Sequence, residues 1–216
     1  MRIIRLLLIS LFMVWTNTVF AGYECNSGAD CARKGNIESD QKIRFRYHLK
    51  ACNVYNEPRA CFSVAKYYNN RGEDEENTKQ FAYYAIKSCN LNYGFACSTL
   101  AFFSENPFGT SHDYHHAAVW YEKACQLSEE EGCFRFGVLL YEGKGLRQDF
   151  VKARAFFEKS CNLKNAKGCY NLAVIYYNGE GIRQDKYLAK QFYGMSCDLG
   201  SQEGCDEYRK LNQQGY

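Results

Sequence analysis

The spacing of the cysteines constrains the fold of this chain more than any other feature. Twelve cysteines fall at positions 25, 31, 52, 61, 89, 97, 125, 133, 161, 169, 197 and 205 of 216. The last four pairs are each 8 residues apart and recur every 36 residues, whereas the pair at 52 and 61 is 9 apart. A period between about 20 and 50 residues is typical of stacked structural repeats.

A first helix of each repeat, called helix B, is predicted to end at the first cysteine of a pair. The residue five positions before that cysteine is always aromatic, which favours an amphipathic helix of about three and a half turns. The residue twelve positions before it is an N-cap type, whose side-chain oxygen accepts from free backbone N–H groups. These predicted N-caps are Asp40, Asn77, Asp113, Asp149 and Asp185.

A second helix, called helix A, is predicted to begin at the second cysteine, after a small residue that suits a tight turn. The positions three and four residues after that cysteine are predicted core, and the fourth is small in most repeats. Gly143 and Gly179 are predicted to end helix A, because glycine readily adopts the left-handed C-terminal conformation. The sequence thus predicts an all-α solenoid of αα-hairpins.

Disulfides are predicted to join each cysteine pair across the short link between helix B and helix A. Zinc is the alternative use, but structural zinc sites space their cysteines by about two to four residues. Closing so small a loop contributes about 2–3 kcal/mol. The predicted disulfides are Cys25–Cys31, Cys52–Cys61, Cys89–Cys97, Cys125–Cys133, Cys161–Cys169 and Cys197–Cys205.

Residues 1–21 have the features of a secretory signal. Arg2 and Arg5 precede an apolar run, and Ala21 offers a small residue for cleavage before Gly22. The run is about half of the 20 apolar residues that a membrane span needs, so no stable membrane insertion is expected after cleavage. A secreted or periplasmic location follows, which agrees with disulfides because they persist outside a reducing cytoplasm.

The balance of charged residues limits the classes of partner that the chain could bind. Lys and Arg number 27 against 24 Asp and Glu, which argues against a general nucleic-acid or anionic-membrane binder. The Gly-rich turns lack a phosphate-binding spacing, and no cofactor is expected.

We expect a monomer with an N-terminal cap at 22–39, repeats of about 36 residues at 40–204 and a C-terminal capping helix at 205–216, in which Arg209 replaces a small residue.

Residues 137–159, and their echo at 173–185, resemble the Sel1-like repeat. With a cysteine pair in each unit behind a signal, residues 22–212 resemble the Helicobacter cysteine-rich protein family. The resemblance implies a right-handed superhelix related to tetratricopeptide arrays, and a secreted or periplasmic home. It also implies penicillin binding or β-lactamase activity, and recognition by the host immune system. It brings no catalytic residues with it.

One Ser-x-x-Lys motif, Ser63 to Lys66, supplies a weak catalytic candidate for β-lactam hydrolysis. Neither Ser-Asp-Asn nor Lys-Thr-Gly, which accompany it in serine β-lactamases, occurs in the chain. Arg135 and Asn171 occupy the serine position in sister repeats, as a chance match predicts. Whether the protein is an enzyme stays open.

Histidines at 112, 115 and 116 are the one cluster with metal-ligand spacing. His112 and His116 are four residues apart, but no Glu lies between them as in metalloprotease motifs. We interpret the cluster as a solvated first helical turn and expect no metal site.

A surface stripe on helix A is the leading candidate for ligand binding. Positions two, five and nine after the second cysteine share a face apart from the core, and their residues vary between repeats. Asparagine amides there could hydrogen-bond both polar groups of an extended peptide backbone, although asparagine could also simply end helix A. The predicted groove residues are Asn70, Thr99, Phe102, Asn106, Arg135, Asn171 and Asn178.

Three functional hypotheses follow from this sequence. The first is an exported repeat protein that binds a protein, a peptide or a peptidoglycan fragment in a concave groove. The second, implied by the resemblance, is β-lactam binding with weak hydrolysis. The third is a non-catalytic secreted factor that acts on the host by surface recognition.

Overall fold

The computed structural model describes residues 23–72, 74–106 and 113–216, and helices joined by short links, with no strand, make up those residues. The predicted signal, its cleavage site and His112 lie outside them. None of the described helices combines the length and the apolar character that a membrane crossing demands. The chain divides into two compact units, an N-terminal unit up to Leu91 and a C-terminal unit from Asn92 to Tyr216.

The N-terminal unit contains four helices, each packed against the next. Its last three helices belong to the cysteine repeats, and the first is a short helix that carries Cys31. The helices are α1 (Gly28–Ile37), α2 (Gln41–Tyr55), α3 (Pro58–Asn69) and α4 (Glu75–Asn90).

The C-terminal unit contains seven helices among its described residues. Consecutive helices pack together, and α5 also contacts α7, as α7 contacts α9. This stacking of helical hairpins is the predicted solenoid. The helices are α5 (Gly94–Glu105), α6 (Tyr114–Gln126), α7 (Glu130–Glu142), α8 (Phe150–Asn162), α9 (Ala166–Asn178), α10 (Lys186–Asp198) and α11 (Gln202–Gln213).

The N-caps of helix B are confirmed in four repeats and wrong in one. Asp40, Asp113, Asp149 and Asp185 each accept hydrogen bonds from backbone N–H groups of the first turn. In the second repeat the cap is Asp74, whose carboxylate accepts from the backbone N–H of Asn77 at 2.7 Å. Because Asp74 comes three residues earlier, α4 begins almost one turn before the predicted position.

Helix A begins three residues before the second cysteine, so the predicted start was wrong. In α9, the side chain of Asn165 caps the helix by accepting from the backbone N–H of Gly168 at 3.0 Å. The small residue is therefore inside the first turn of helix A. A Cβ on Gly168 would stand 2.5 Å from Oγ of Ser160 in helix B, so the absence of a side chain at Gly168 allows the close approach of these two helices. The ends of helix A at Gly143 and Gly179 are confirmed, with φ of 71° and 76°.

Large buried aromatic rings lie four residues before the first cysteine of a pair. This is one position later than the aromatic residue from which helix B was predicted, five residues before that cysteine. Tyr121, Phe157 and Tyr193 fill the position four residues before the cysteine and are almost fully buried. A Cβ on Gly137 would come within 2.7 Å of the Phe157 ring. The small residue at the fourth place after the second cysteine therefore makes room for a ring of the next helix B.

Five disulfides join cysteine pairs in the predicted way, at 25–31, 52–61, 125–133, 161–169 and 197–205. Cys89 and Cys97 are also disulfide-bonded, and no described cysteine is free. So many disulfides indicate an oxidising extracellular or periplasmic compartment.

Polar side chains at the end of helix B connect successive repeats. Oγ of Ser160 donates to the carbonyl of Glu130 at 2.9 Å, and Nζ of Lys159 donates to the carbonyl of Cys125 at 2.7 Å. Ser196 repeats the serine bond to the carbonyl of Ala166 at 2.8 Å. These bonds satisfy the buried serine hydroxyls and join helix B of one repeat to the helices of the preceding repeat. In the last helix Arg209 is exposed, as expected for the polar outer face of a terminal repeat.

Candidate ligand-binding surface

The structure separates the core of helix A from its surface stripe as predicted. Leu172 and Ala173, at the third and fourth positions after Cys169, are fully buried, whereas Asn171 and Val174 are only partly buried. In α5, Phe102 is 48% exposed. The stripe is thus available for contacts in each unit.

In the C-terminal unit the stripe residues of α7 and α9 border a cleft of about 200 Å³, called here the α7–α9 cleft. Its floor is Phe157, and its walls come from the stripe positions of two successive repeats. The lining residues are Val138, Tyr141, Glu142, Phe157, Asn171 and Val174. A volume this small suits one side chain of a larger ligand.

Polar groups at the edge of the α7–α9 cleft are mostly engaged already. The hydroxyl of Tyr141 donates to Glu180 at 3.0 Å, and burial followed by this carboxylate raises the pKa of Tyr141 to about 12. Glu142 pairs with Lys144 at 2.8 Å. The amide of Asn171, by contrast, makes no hydrogen bond among the described residues. Asn171 is therefore the group that could bind the backbone of a ligand.

Two other predicted asparagines are committed to their own helix ends. Nδ2 of Asn106 donates to the carbonyl of Phe102 at 3.1 Å, and Nδ2 of Asn178 donates to Glu180 at 3.3 Å. These contacts favour the helix-ending interpretation for both residues. Thr99 donates to the carbonyl of Phe95, and Arg135 pairs with Glu131 at 2.7 Å.

In the N-terminal unit, the predicted residues Ser63, Lys66 and Asn70 come together in a pocket of about 300 Å³, called here the His48 pocket. Residues of α1, α2 and α3 line it. They are Asn36, Gln41, Arg44, Phe45, His48, Ser63, Lys66, Tyr67 and Asn70.

The Ser-x-x-Lys pair lies on one face of α3, but no hydrogen bond joins the two side chains in the described part of the chain. Oγ of Ser63 donates to the carbonyl of Arg59, four residues earlier, at 3.1 Å. Nζ of Lys66 lies 5.6 Å from the centroid of the Phe62 ring. Ser63 thus hydrogen-bonds as an ordinary helical serine does, and the geometry favours binding in this pocket over catalysis.

Sequence reasoning missed His48, the buried centre of this pocket. It is 5% exposed, and its Nδ1 has no hydrogen-bond partner among the described residues. Burial, followed by the charges of Arg44 and Lys66, lowers the pKa of His48 to about 4. The sequence could have indicated it by position, because histidine stands four residues before Cys52, where the last three repeats carry buried tyrosine or phenylalanine.

The two described histidines of the 112–116 cluster each lie near an oxygen atom of the chain. Nδ1 of His116 lies 2.5 Å from Oδ2 of Asp113, and Nδ1 of His115 lies 3.4 Å from the carbonyl of Gly145. Within residues 23–72, 74–106 and 113–216, no group of three or more candidate metal ligands converges.

Comparison with known proteins supports the repeat assignment. The Sel1 repeat family matches three consecutive segments, residues 95–129, 130–165 and 166–201. All three lie in the C-terminal unit. No curated protein sequence matches the chain significantly.

Solved structures share the architecture. A Sel1 repeat protein from Oxalobacter formigenes has a TM-score of 0.75 and 21% identity, covering 85% of this chain and 55% of its own. A protective antigen of uropathogenic Escherichia coli with an SLR fold has a TM-score of 0.71 and 20% identity, covering 79% of this chain and 36% of its own. This chain therefore spans only part of either protein, and such low identity shows the fold alone.

Helicobacter pylori cysteine rich protein B is 28% identical over 62% of this chain and 97% of its own, with a TM-score of 0.49. The three matched segments show that residues 95–201 of this chain are Sel1 repeats. The first two solved structures share the stacking of their helical hairpins.

Proposed function

We propose that this protein is an exported, disulfide-stapled scaffold that binds a peptide-like ligand, such as a protein segment or a peptidoglycan peptide. Repeats of this kind generally mediate protein–protein interactions, and stacked repeats present extended binding surfaces. The observation that carries the proposal is the α7–α9 cleft. Val138, Phe157 and Val174 contact one apolar side chain of the ligand, and the free amide of Asn171 hydrogen-bonds the ligand backbone.

A displayed library of random peptides, selected on the oxidised protein, tests this function. We expect selected peptides to share an apolar anchor residue. Asn171→Ala removes about one net hydrogen bond and should weaken their binding about fivefold. Val174→Asp should abolish binding, because it replaces an apolar contact of the ligand's anchor side chain with a charge.

Val151→Asp is the matched control, since Val151 is 55% exposed on α8 and does not line the cleft. The proposal is wrong if peptides are selected equally well on the Val174→Asp protein, or if Val151→Asp abolishes binding in the same way.

A second candidate function is β-lactam binding with weak hydrolysis, because Ser63 and Lys66 line one pocket. Turnover of a chromogenic β-lactam by the purified oxidised protein should then disappear in Ser63→Ala. Ser104→Ala is the matched control, since Oγ of Ser104 makes the same bond to a carbonyl four residues earlier, at 3.0 Å. Turnover no faster than with boiled protein removes this candidate.

A third candidate is a non-catalytic secreted factor that the host recognises by its surface. The support is a structural neighbour described as a protective antigen. Binding of serum antibodies from infected hosts to the oxidised protein, and loss of that binding on reduction, is the expected result. Equal binding to the reduced, unfolded chain would contradict recognition of the folded surface.

A further inference from the structure

The His48 pocket has the chemistry of a second binding site, separate from the α7–α9 cleft. We propose that it binds a small organic anion, a carboxylate- or phosphate-bearing molecule, between Arg44, Lys66 and the imidazole of His48. The inference does not depend on the proposed peptide function, because all the lining residues belong to the N-terminal unit.

The charge of the lining favours an anion. Arg44 and Lys66 both line the pocket, and no acidic side chain does. Hydrogen bonds from such cations to a carboxylate or a phosphate are shorter and stronger than neutral ones. The pocket would therefore select an anionic ligand over a neutral one of the same shape.

The donors in the pocket are largely unused. Nζ of Lys66 and the amides of Asn36, Gln41 and Asn70 make no hydrogen bond or ion pair within the described part of the chain. Arg44 uses Nε and one Nη to donate to the carbonyl of Glu38, at 2.9 and 2.6 Å, which leaves its other Nη free. This contrasts with Asn106 and Asn178, whose amides bond their own helix ends.

His48 adds a buried polar group that the protein itself does not satisfy. A buried donor or acceptor without a partner costs about 1–3 kcal/mol, and Nδ1 of His48 has none among the described residues. The charged groups that face the ring are Arg44 of its own helix and Lys66 of α3, while α1 presents Gly35 and Asn36. An anion in the pocket would be the one negative charge beside this ring.

Size and shape limit the ligand to a small molecule. About 300 Å³ is at the lower end of small-molecule sites. Phe45 and Tyr67, stacked with their ring centroids 4.1 Å apart, supply the apolar part of the lining. A compact anion with a flat apolar portion fits both features.

Calorimetric titration with benzoate, phenyl phosphate and neutral benzamide tests the inference. We expect at least one of the two anions to bind. Which of them binds shows whether the pocket prefers a carboxylate or a phosphate. Benzamide should bind about tenfold more weakly or not at all, because it lacks the charge. Lys66→Ala should weaken anion binding about tenfold, since it removes one charge-assisted contact.

Lys42→Ala is the matched control, because Lys42 is an exposed lysine of α2 that does not line the pocket. It should leave anion binding unchanged.

Histidine NMR gives an independent readout. An anion next to His48 favours the charged imidazole, so saturating benzoate should raise the pKa of His48, while the exposed His115 and His116 serve as internal references. The inference is overturned if neither anion binds, if benzamide binds equally well, if Lys66→Ala and Lys42→Ala behave alike, or if the His48 titration does not move.

Discussion

The imidazole of His48 lies directly against Gly35, so that a Cβ at Gly35 would stand 2.8 Å from Cε1 and 2.9 Å from Nε2 of the ring. Gly35→Ala therefore forces the ring or α1 to shift, and overpacking of this kind costs about 1–3 kcal/mol. Urea unfolding monitored by circular dichroism measures the loss.

Gly194→Ala in α10 is the matched control for this helix glycine. The added methyl meets only the side chain of Tyr208, at 3.2 Å, and Tyr208 is partly exposed. Alanine also favours helix by about 1 kcal/mol over glycine, so stability should be kept or raised. Equal effects of the two substitutions would contradict the packing of His48 on Gly35.

The stability of the protein should fall as the pH drops from about 6.5 to about 4. The pKa of His48 is lowered to about 4 in the folded state from the ordinary 6.5, so the unfolded chain binds more protons in this window. Stability then rises with pH across the window and is fully present above it. The shift corresponds to roughly 3 kcal/mol at most.

His48→Phe isolates this contribution, because phenylalanine fills the same position at Phe157. The variant should lose most of the pH dependence between about 4 and 6.5, which urea unfolding at several pH values will show. An unchanged slope in the variant would assign the dependence to other groups.

Ser160→Ala should cost about 1 kcal/mol, because it removes one buried hydrogen bond, to the carbonyl of Glu130. The chain tolerates alanine at this position of the repeat, since Ala124 occupies it in the preceding repeat. Thr99→Ala, which removes a bond within one helix at a partly exposed site, should change stability by less than about 0.5 kcal/mol. A larger loss in Thr99→Ala than in Ser160→Ala would contradict a link between repeats through Ser160.

Removal of the disulfide Cys161–Cys169 by double substitution to alanine should lower stability by about 2–3 kcal/mol, because the unfolded chain gains the entropy of an open loop. Guanidinium unfolding of the variant and the oxidised protein measures the change. Mass spectrometry after alkylation without reduction should find the remaining cysteines unmodified, because they stay in disulfides. Unchanged stability would show that this link is held without its disulfide.

Local spacing along the chain was enough to predict the repeat, most N-caps of helix B and the glycines that end helix A. It also predicted the five cysteine pairs that each bridge the link between a helix B and the following helix A. Each depends on residues a few positions apart, whose relation a helix turn sets directly. The predicted N-cap at Asn77 was wrong because another capping residue, Asp74, lies three positions upstream. Competition between neighbouring capping residues shifts the boundary of a helix by a few residues.

Packing between helices decided the rest. Periodicity alone could not reveal that the ring over Gly137 belongs to Phe157, or that Asn106 and Asn178 are engaged while Asn171 is free. The His48 pocket assembles side chains from three helices, and their distances depend on how those helices pack and not on their spacing in the chain. Sequence therefore determined the repeat and its covalent links, whereas tertiary structure decided which side chains remain free to bind.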